Sequence, residues 1–295
     1  MKRAACLLLL SLLTVAVPGL VGQEKKSRPL NVSPQHISKD AAVKFDYDIV
    51  YVRAPRNGDD KQIAWTEVFA PLRGEPGSDL MLLHSDGTEE VLVAVGDDAI
   101  ADPFVSFDGE SVYFARFHNV TKPGSEKPTP KSADIFKIHV KTKKIVQLTH
   151  QTFTPNTGVT AKELKSPGVF NLGPCPLPGG RVMFTSNRNG FQPTKGYTPT
   201  TLQLFVMDED GGNVELIGHM NVNSALHPTI LKDGRVMFTS YESQGLRDLR
   251  LWAVWTIHPD GTNWAPLVSA FGPSGDTAYN LMIKLSHIQI DVDEH

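Results

Sequence analysis

Four side chains with donor chemistry stand at matching places in a repeated unit of this sequence: Asp102, Cys175, His227 and Thr229. The repeat that locates them is the octapeptide GGRVMFTS at 179–186, which recurs as DGRVMFTS at 233–240 and, more loosely, within DGESVYFAR at 108–116. Aligned on Gly109, Gly180 and Gly234, all three copies carry a proline six residues earlier, at Pro103, Pro174 and Pro228. Immediately before these prolines stand Asp102, Gly173 and His227, and one position past them stand Phe104, Cys175 and Thr229. A carboxylate, an imidazole and a hydroxyl gathered at one mouth would bind a small polar or cationic ligand, so Asp102, His227 and Thr229 are the candidate ligand-binding residues. An imidazole beside a soft thiol would suit zinc or copper, which makes His227 and Cys175 the candidate metal ligands. The plainer alternative is local: His227 caps a strand, Asp102 bonds its own turn, and Cys175 is a small buried hydrophobe.

The elements that must position these residues are short strands. Each glycine marks a turn, because it takes positive φ without a Cβ clash, and V-x-F with its β-branched and aromatic residues favours the strand that follows. Proline fixes φ and lacks an amide donor, so it is expected at the start of a short strand running into that turn. Downstream of each copy lies a hairpin: DIFKIHVKTKKIVQLT (134–149), LQLFVMDEDGGNVELIG (202–218) and LWAVWTIHPDGTNWAPLV (251–268). A fourth hairpin, DLMLLHSDGTEEVLV (79–93), follows the lone strand IVYVRA (49–54) and reads as an N-terminal unit with a degenerate first strand.

Four short strands per unit, at blade-like spacing with loop insertions, predict an all-β fold, a β-propeller with about four blades. A β-sandwich does not predict near-identical octapeptides at this spacing, and an α/β fold needs amphipathic helices that the sequence lacks. The extra length falls in polar, turn-rich stretches such as QTFTPNTGVTAKELKSP and NRNGFQPTKGYTP, where loops absorb it cheaply and where function commonly sits. The innermost strand of each blade lines the central channel, and this is the reason the residues flanking the three prolines are the ones to watch.

Other clusters carry less chemistry. His219 and His227 lack the helical spacing of an H-E-x-x-H pair. Asp208, Glu209 and Asp210 lack the further oxygens of a calcium loop and read as a solvated hairpin turn. Lys137, Lys141, Lys143 and Lys144 read as protection of an outer strand against edge pairing. Trp252, Trp255 and Trp264 read as packing between blades, an exposed one offering an anchor for a partner. No G-x-S-x-G elbow, Walker loop or G-x-G-x-x-G fingerprint occurs, so no residue is assigned a catalytic role.

The unit P-x-x-x-x-D-G-x-x-V-x-F-x-S followed by L-x-V-M-D-x-D-G-G-N resembles the TolB-type, WD40-like propeller repeat of exported bacterial proteins, over roughly residues 46–272. CPLPGGRVMFTSNRNGF, KGYTPTTLQLFVMDEDG and ALHPTILKDGRVMFTS are similar to the propeller region of proteins related to the hydrazine synthase alpha subunit of planctomycete bacteria. True synthases of that group carry c-type haem on C-x-x-C-H, which is missing here, so the resemblance implies the propeller and no haem of this chain's own. Propellers of this type commonly have about six blades or more. Four therefore imply an incomplete ring, from truncation of a longer protein or from need of a partner to close it.

Composition sets the setting. The sequence of 295 residues, 40% hydrophobic and with net charge −3, carries no basic stripe for nucleic acid or anionic membrane. MKR, the apolar ACLLLLSLLTVAV and the small-residue PGLVG read as a signal peptide over 1–22, the apolar run being too short for a membrane anchor. A linker (23–45), the blades (46–272) and an atypical tail (273–295) follow. Cleavage leaves one cysteine, Cys175, and hence no internal disulfide. The expectation is an exported, non-catalytic scaffold in the periplasm or outside the cell, binding a protein or small ligand without a cofactor. The alternative is an accessory or truncated propeller portion of a haem-dependent redox enzyme resembling the hydrazine synthase alpha subunit.

Overall fold

The computed structural model describes residues 39–40, 43–55, 71–120, 129–154, 168–191, 201–218, 224–242 and 251–269. The chain divides into two compact units between Val43 and Lys44, and every strand lies in the second. The signal-peptide stretch, His219 and the tail 273–295 lie outside the described residues.

Four antiparallel sheets follow one another along the chain, in an open series among the described residues. The first has three strands, β1 (Ile49–Arg53), β2 (Asp79–Leu83) and β3 (Glu89–Val93). The second holds β4 (Ala99–Val105), β5 (Ser111–His118), β6 (Ser132–His139) and β7 (Ile145–Gln147). The third holds β8 (Asn171–Leu177), β9 (Arg181–Ser186), β10 (Gln203–Asp208) and β11 (Glu215–Leu216). The fourth holds β12 (Ser224–Ile230), β13 (Val236–Glu242), β14 (Leu251–Ile257) and β15 (Ala265–Ser269). Each is a simple meander, so each is one propeller blade. The first blade has the degenerate start expected of it: IVYVR pairs with the hairpin, Tyr51 opposite Met81.

Both faces of the V-x-F strands are covered, and their side chains make the core. Val112, Val182 and Val236 are fully buried, as are Phe114, Phe184 and Phe238. Successive blades stack on separate apolar layers. Leu80, Leu82, Phe114 and Ile138 lie in the layer between blades one and two. Ile135, Leu148, Phe184 and Met207 lie between two and three. Cys175, Val206, Phe238 and Ile257 lie between three and four.

The backbone joint between blades also repeats. The inner strand of each new blade begins alongside the strand that opens the hairpin of the blade before, through the parallel bridges Ser78 to Ala99, Ala133 to Phe170 and Leu202 to Ser224. At the other end of the third strand, the hairpin glycine tucks under the preceding blade. A Cβ on Gly211 would stand 2.3 Å from the Leu148 carbonyl oxygen, and one on Gly261 would stand 3.1 Å from that of Ile217. Both have positive φ, so glycine is required there twice over.

One expectation about the strands changes. The prolines lie inside β4, β8 and β12 and not at their starts. Each sits where the ladder slips, between Ala101 and Phe104, Leu172 and Cys175, and Leu226 and Thr229. At a bulge the proline's missing amide leaves no ladder partner unsatisfied, so the residue that cannot continue a strand is tolerated within it. Among the described residues no helix is long and apolar enough to cross a membrane.

Candidate functional site

Three bulges on three inner strands define the site. The residue before each proline is left-handed: φ is +53° at Asp102, +57° at Gly173 and +52° at His227. Two of these are not glycine, and a left-handed non-glycine residue costs about 1–3 kcal/mol. The extra residue of a bulge turns its side chain out of the ladder, and the three bulges meet one another. Asp102 Oδ2 accepts the Gly173 backbone N–H at 3.1 Å, and Asp102 Oδ1 lies 3.8 Å from His227 Nδ1. Asp102 thus ties blade two to blades three and four. The glycine in the middle is a packing requirement as well, since a Cβ on Gly173 would stand 3.1 Å from Pro228 Cδ.

Asp102 and His227 therefore come together as one acid–imidazole pair, each side chain under a fifth exposed. Thr229 re-enters the ladder opposite Met237 and is half-buried. Cys175 is placed differently: it re-enters opposite Met183, fully buried in the layer between blades three and four. Burial pushes its thiol up to about 12, which opposes the thiolate that metal ligation needs. Among the described residues no three His, Cys, Asp or Glu side chains gather as a metal-binding group.

The acidic hairpin 208–210 is built as a turn with an interblade contact. Asp210 Oδ1 accepts the Gly212 N–H at 2.8 Å, Asp208 Oδ2 takes the Asn213 amide, and Glu209 pairs with Lys137 of the preceding blade. Lys143 pairs with Glu90 of the first blade at 2.5 Å. Two of the lysines read as edge protection are thus tied across blade boundaries, which sequence separation hides. Trp255, partly buried, packs against the core between blades three and four, with Trp264 tilted over it at 4.5 Å between ring centroids and 42% exposed.

Two charged residues of consequence escape sequence reasoning. Asp134, at the head of the apolar run DIFKI, is 1% exposed. Its carboxylate accepts from Thr149 Oγ1 at 2.8 Å, Asn171 Nδ2 at 3.1 Å, Gln151 Nε2 at 3.1 Å, the Gln151 N–H at 3.2 Å and His118 Nε2 at 3.2 Å. Burial by itself would raise its pKa, but the hydrogen bonds from His118, Thr149 and Gln151 outweigh burial and hold it below the ordinary value. This carboxylate pins the start of blade three to blade two. Arg188, in the turn after β9, is 4% exposed; burial lowers its pKa, and the field of Asp134 offsets part of that. The visible signal for Asp134 is a charge at the head of an apolar run; Arg188, set in the polar stretch SNRNG, carries no such signal.

No family model matches this sequence, and no curated protein matches it. Solved structures do. Hydrazine synthase of Kuenenia stuttgartiensis is 17% identical over 75% of this chain, with a TM-score of 0.52. A TolB-type structure from Agrobacterium tumefaciens is 21% identical over 69% of this chain, with a TM-score of 0.47, and TolB from Acinetobacter baumannii is 16% identical over 65%, with a TM-score of 0.43. The matched region spans 31%, 62% and 38% of those chains respectively. The first likeness shows the propeller fold, and at this identity it shows the fold alone.

Proposed function

We propose that this chain is an exported, non-catalytic propeller that binds a small polar or cationic ligand, or a basic group of a partner protein, where Asp102 and His227 meet. The observation that carries this is the convergence of three repeated bulges, each with its left-handed residue, on one acid–imidazole pair. A left-handed residue held at the same register in three blades, strained at the two that are not glycine, favours a binding role over a packing role. Asp102 supplies the negative oxygen, His227 the ring nitrogen, and Thr229 stands next along the strand. Metal binding through His227 belongs to this proposal; Cys175 is the weaker half of that pair because its thiol holds its proton.

Titration of the purified chain with zinc chloride and, separately, with a short lysine-containing peptide tests the reading by calorimetry. Binding that His227→Ala and Asp102→Asn each weaken at least tenfold supports it; heat unchanged by either variant, or none, overturns it. Export is tested by expression with the native N-terminus in a Gram-negative host. The expected product is periplasmic and begins near Gln23; a chain retaining Met1 in the cytoplasm opposes the reading. A second reading, a propeller portion of a larger haem-dependent assembly, draws on the fold likeness to hydrazine synthase, whose chain is about three times the matched length. It expects a partner chain, and not this one, to carry the haem.

A further inference from the structure

The turn after β9, in the middle of blade three, holds hydrogen-bond donors without acceptors. It is rigidly pinned: Asn187 Oδ1 accepts the Phe170 N–H at 2.7 Å, Asn187 Nδ2 donates to the Gly168 carbonyl at 3.1 Å, and the Arg188 carbonyl accepts the Thr154 N–H at 2.7 Å. These bonds fix where Arg188 and Asn189 sit. Both are at least nine-tenths buried. The Arg188 guanidinium lies 6.0 Å from the Phe184 ring centroid and 5.8 Å from that of Phe205, and its Nη2 donates to the Thr152 carbonyl at a long 3.4 Å. Its Nε and Nη1 make no hydrogen bond among the described residues, and neither does Asn189 Nδ2. Asn189 Oδ1 is already taken by the Phe191 N–H.

A buried guanidinium with two unused donors beside an unused amide is among the most costly arrangements a protein can hold. The nearest buried carboxylate does not relieve it. Asp134 acts on Arg188 only through its field, and its oxygens are committed to Thr149, Gln151, His118 and Asn171. All the unsatisfied groups are donors, so the missing partner is an acceptor with negative charge. Guanidinium matches the planar carboxylate and the phosphate oxygens better than any other side chain does.

We infer that the Arg188–Asn189 turn is an oxyanion site, taking the carboxylate or phosphate group of a ligand. It is separate from the Asp102–His227 pair in charge and in chemistry, and it does not depend on that reading.

The test is thermal unfolding of the purified chain in sodium phosphate, in sodium acetate and in sodium chloride, all at one ionic strength and pH. Phosphate or acetate at about tenfold above its Kd is expected to raise the melting temperature by about 3 °C over chloride. A rise in acetate alone identifies a carboxylate site, and one in phosphate alone a phosphate site. Arg188→Met is expected to abolish the rise without lowering the melting temperature in chloride, because it removes a buried charge that lacks full pairing. Should Arg188→Met fail to fold, Asn189→Asp serves: it keeps the oxygen that accepts the Phe191 N–H and replaces the free donor with a repelling charge, and it too is expected to lose the rise. No rise in the wild type, or a rise that survives in the variant that folds, overturns the site.

Discussion

Gly173 separates two demands that a single residue must meet. Its φ of +57° admits any residue at some strain, but Pro228 Cδ leaves no ordinary room for a Cβ. Gly173→Ala is therefore expected to cost about 2 kcal/mol, read from the urea midpoint, and to loosen the Asp102 contact along with it. Asp134 works through protons. Its pKa is lower folded than unfolded, so the stability it contributes is full above the ordinary carboxylate value of 3.8 and is lost as pH falls through the lowered folded value. Asp134→Asn is expected to be about 2–3 kcal/mol less stable than wild type at neutral pH, the gap closing below about pH 4; denaturant melts across pH 3–7 measure it. Cys175, buried with its thiol near 12, is expected to resist a thiol-reactive disulfide reagent in the native chain and to react at once in urea. The residues flanking the prolines were legible in the sequence because they sit in register. Which of them turn inward was not, because a bulge decides that and a bulge leaves no mark in residue type.

At the scale of the element, the blade is held to its neighbour by a joint that repeats: a parallel bridge at one end and a hairpin glycine under a carbonyl at the other. The turn glycines of the repeat motif itself are different. Gly109 and Gly234 have positive φ with no atom within 4 Å of an added Cβ. Gly234→Ala is thus expected to cost about 1 kcal/mol, the strain alone, whereas Gly211→Ala drives a methyl against the Leu148 carbonyl and is expected to cost at least twice that; paired denaturant melts decide it. The two glycines look alike in DGR and DGG, and only the neighbouring blade distinguishes them. The same holds for Lys137 and Lys143, whose acidic partners lie on adjacent blades. Such exposed pairs contribute little each, and their part is to set register between blades.

Across the whole molecule, the apolar layers between blades follow sequence order, one further layer is shared by blades two, three and four, and the series among the described residues is open. In such nearest-neighbour architectures a terminal blade lacks the partner that covers its face. The chain is accordingly expected to sediment above its monomer mass of 32.4 kDa at micromolar concentration, and a sharp monomer in analytical ultracentrifugation would count against an open ring in solution.

The sequence alone determined the propeller class, the hairpins, the three-strand first blade and the register that singles out Asp102, Gly173 and His227, because each of these is a local pattern repeated along the chain. GRVMFTS occurs twice because the same turn and strand are built twice, and a repeat needs no long-range knowledge to be seen. The tertiary structure decided the rest: that the prolines mark bulges, that Asp102 reaches His227 while Cys175 turns into the core, that Asp134 gathers donors from two blades, and that Arg188 is buried with donors to spare. Those facts depend on residues 15 to 125 positions apart meeting within and between blades, and no spacing rule within one strand specifies which face will close over which charge.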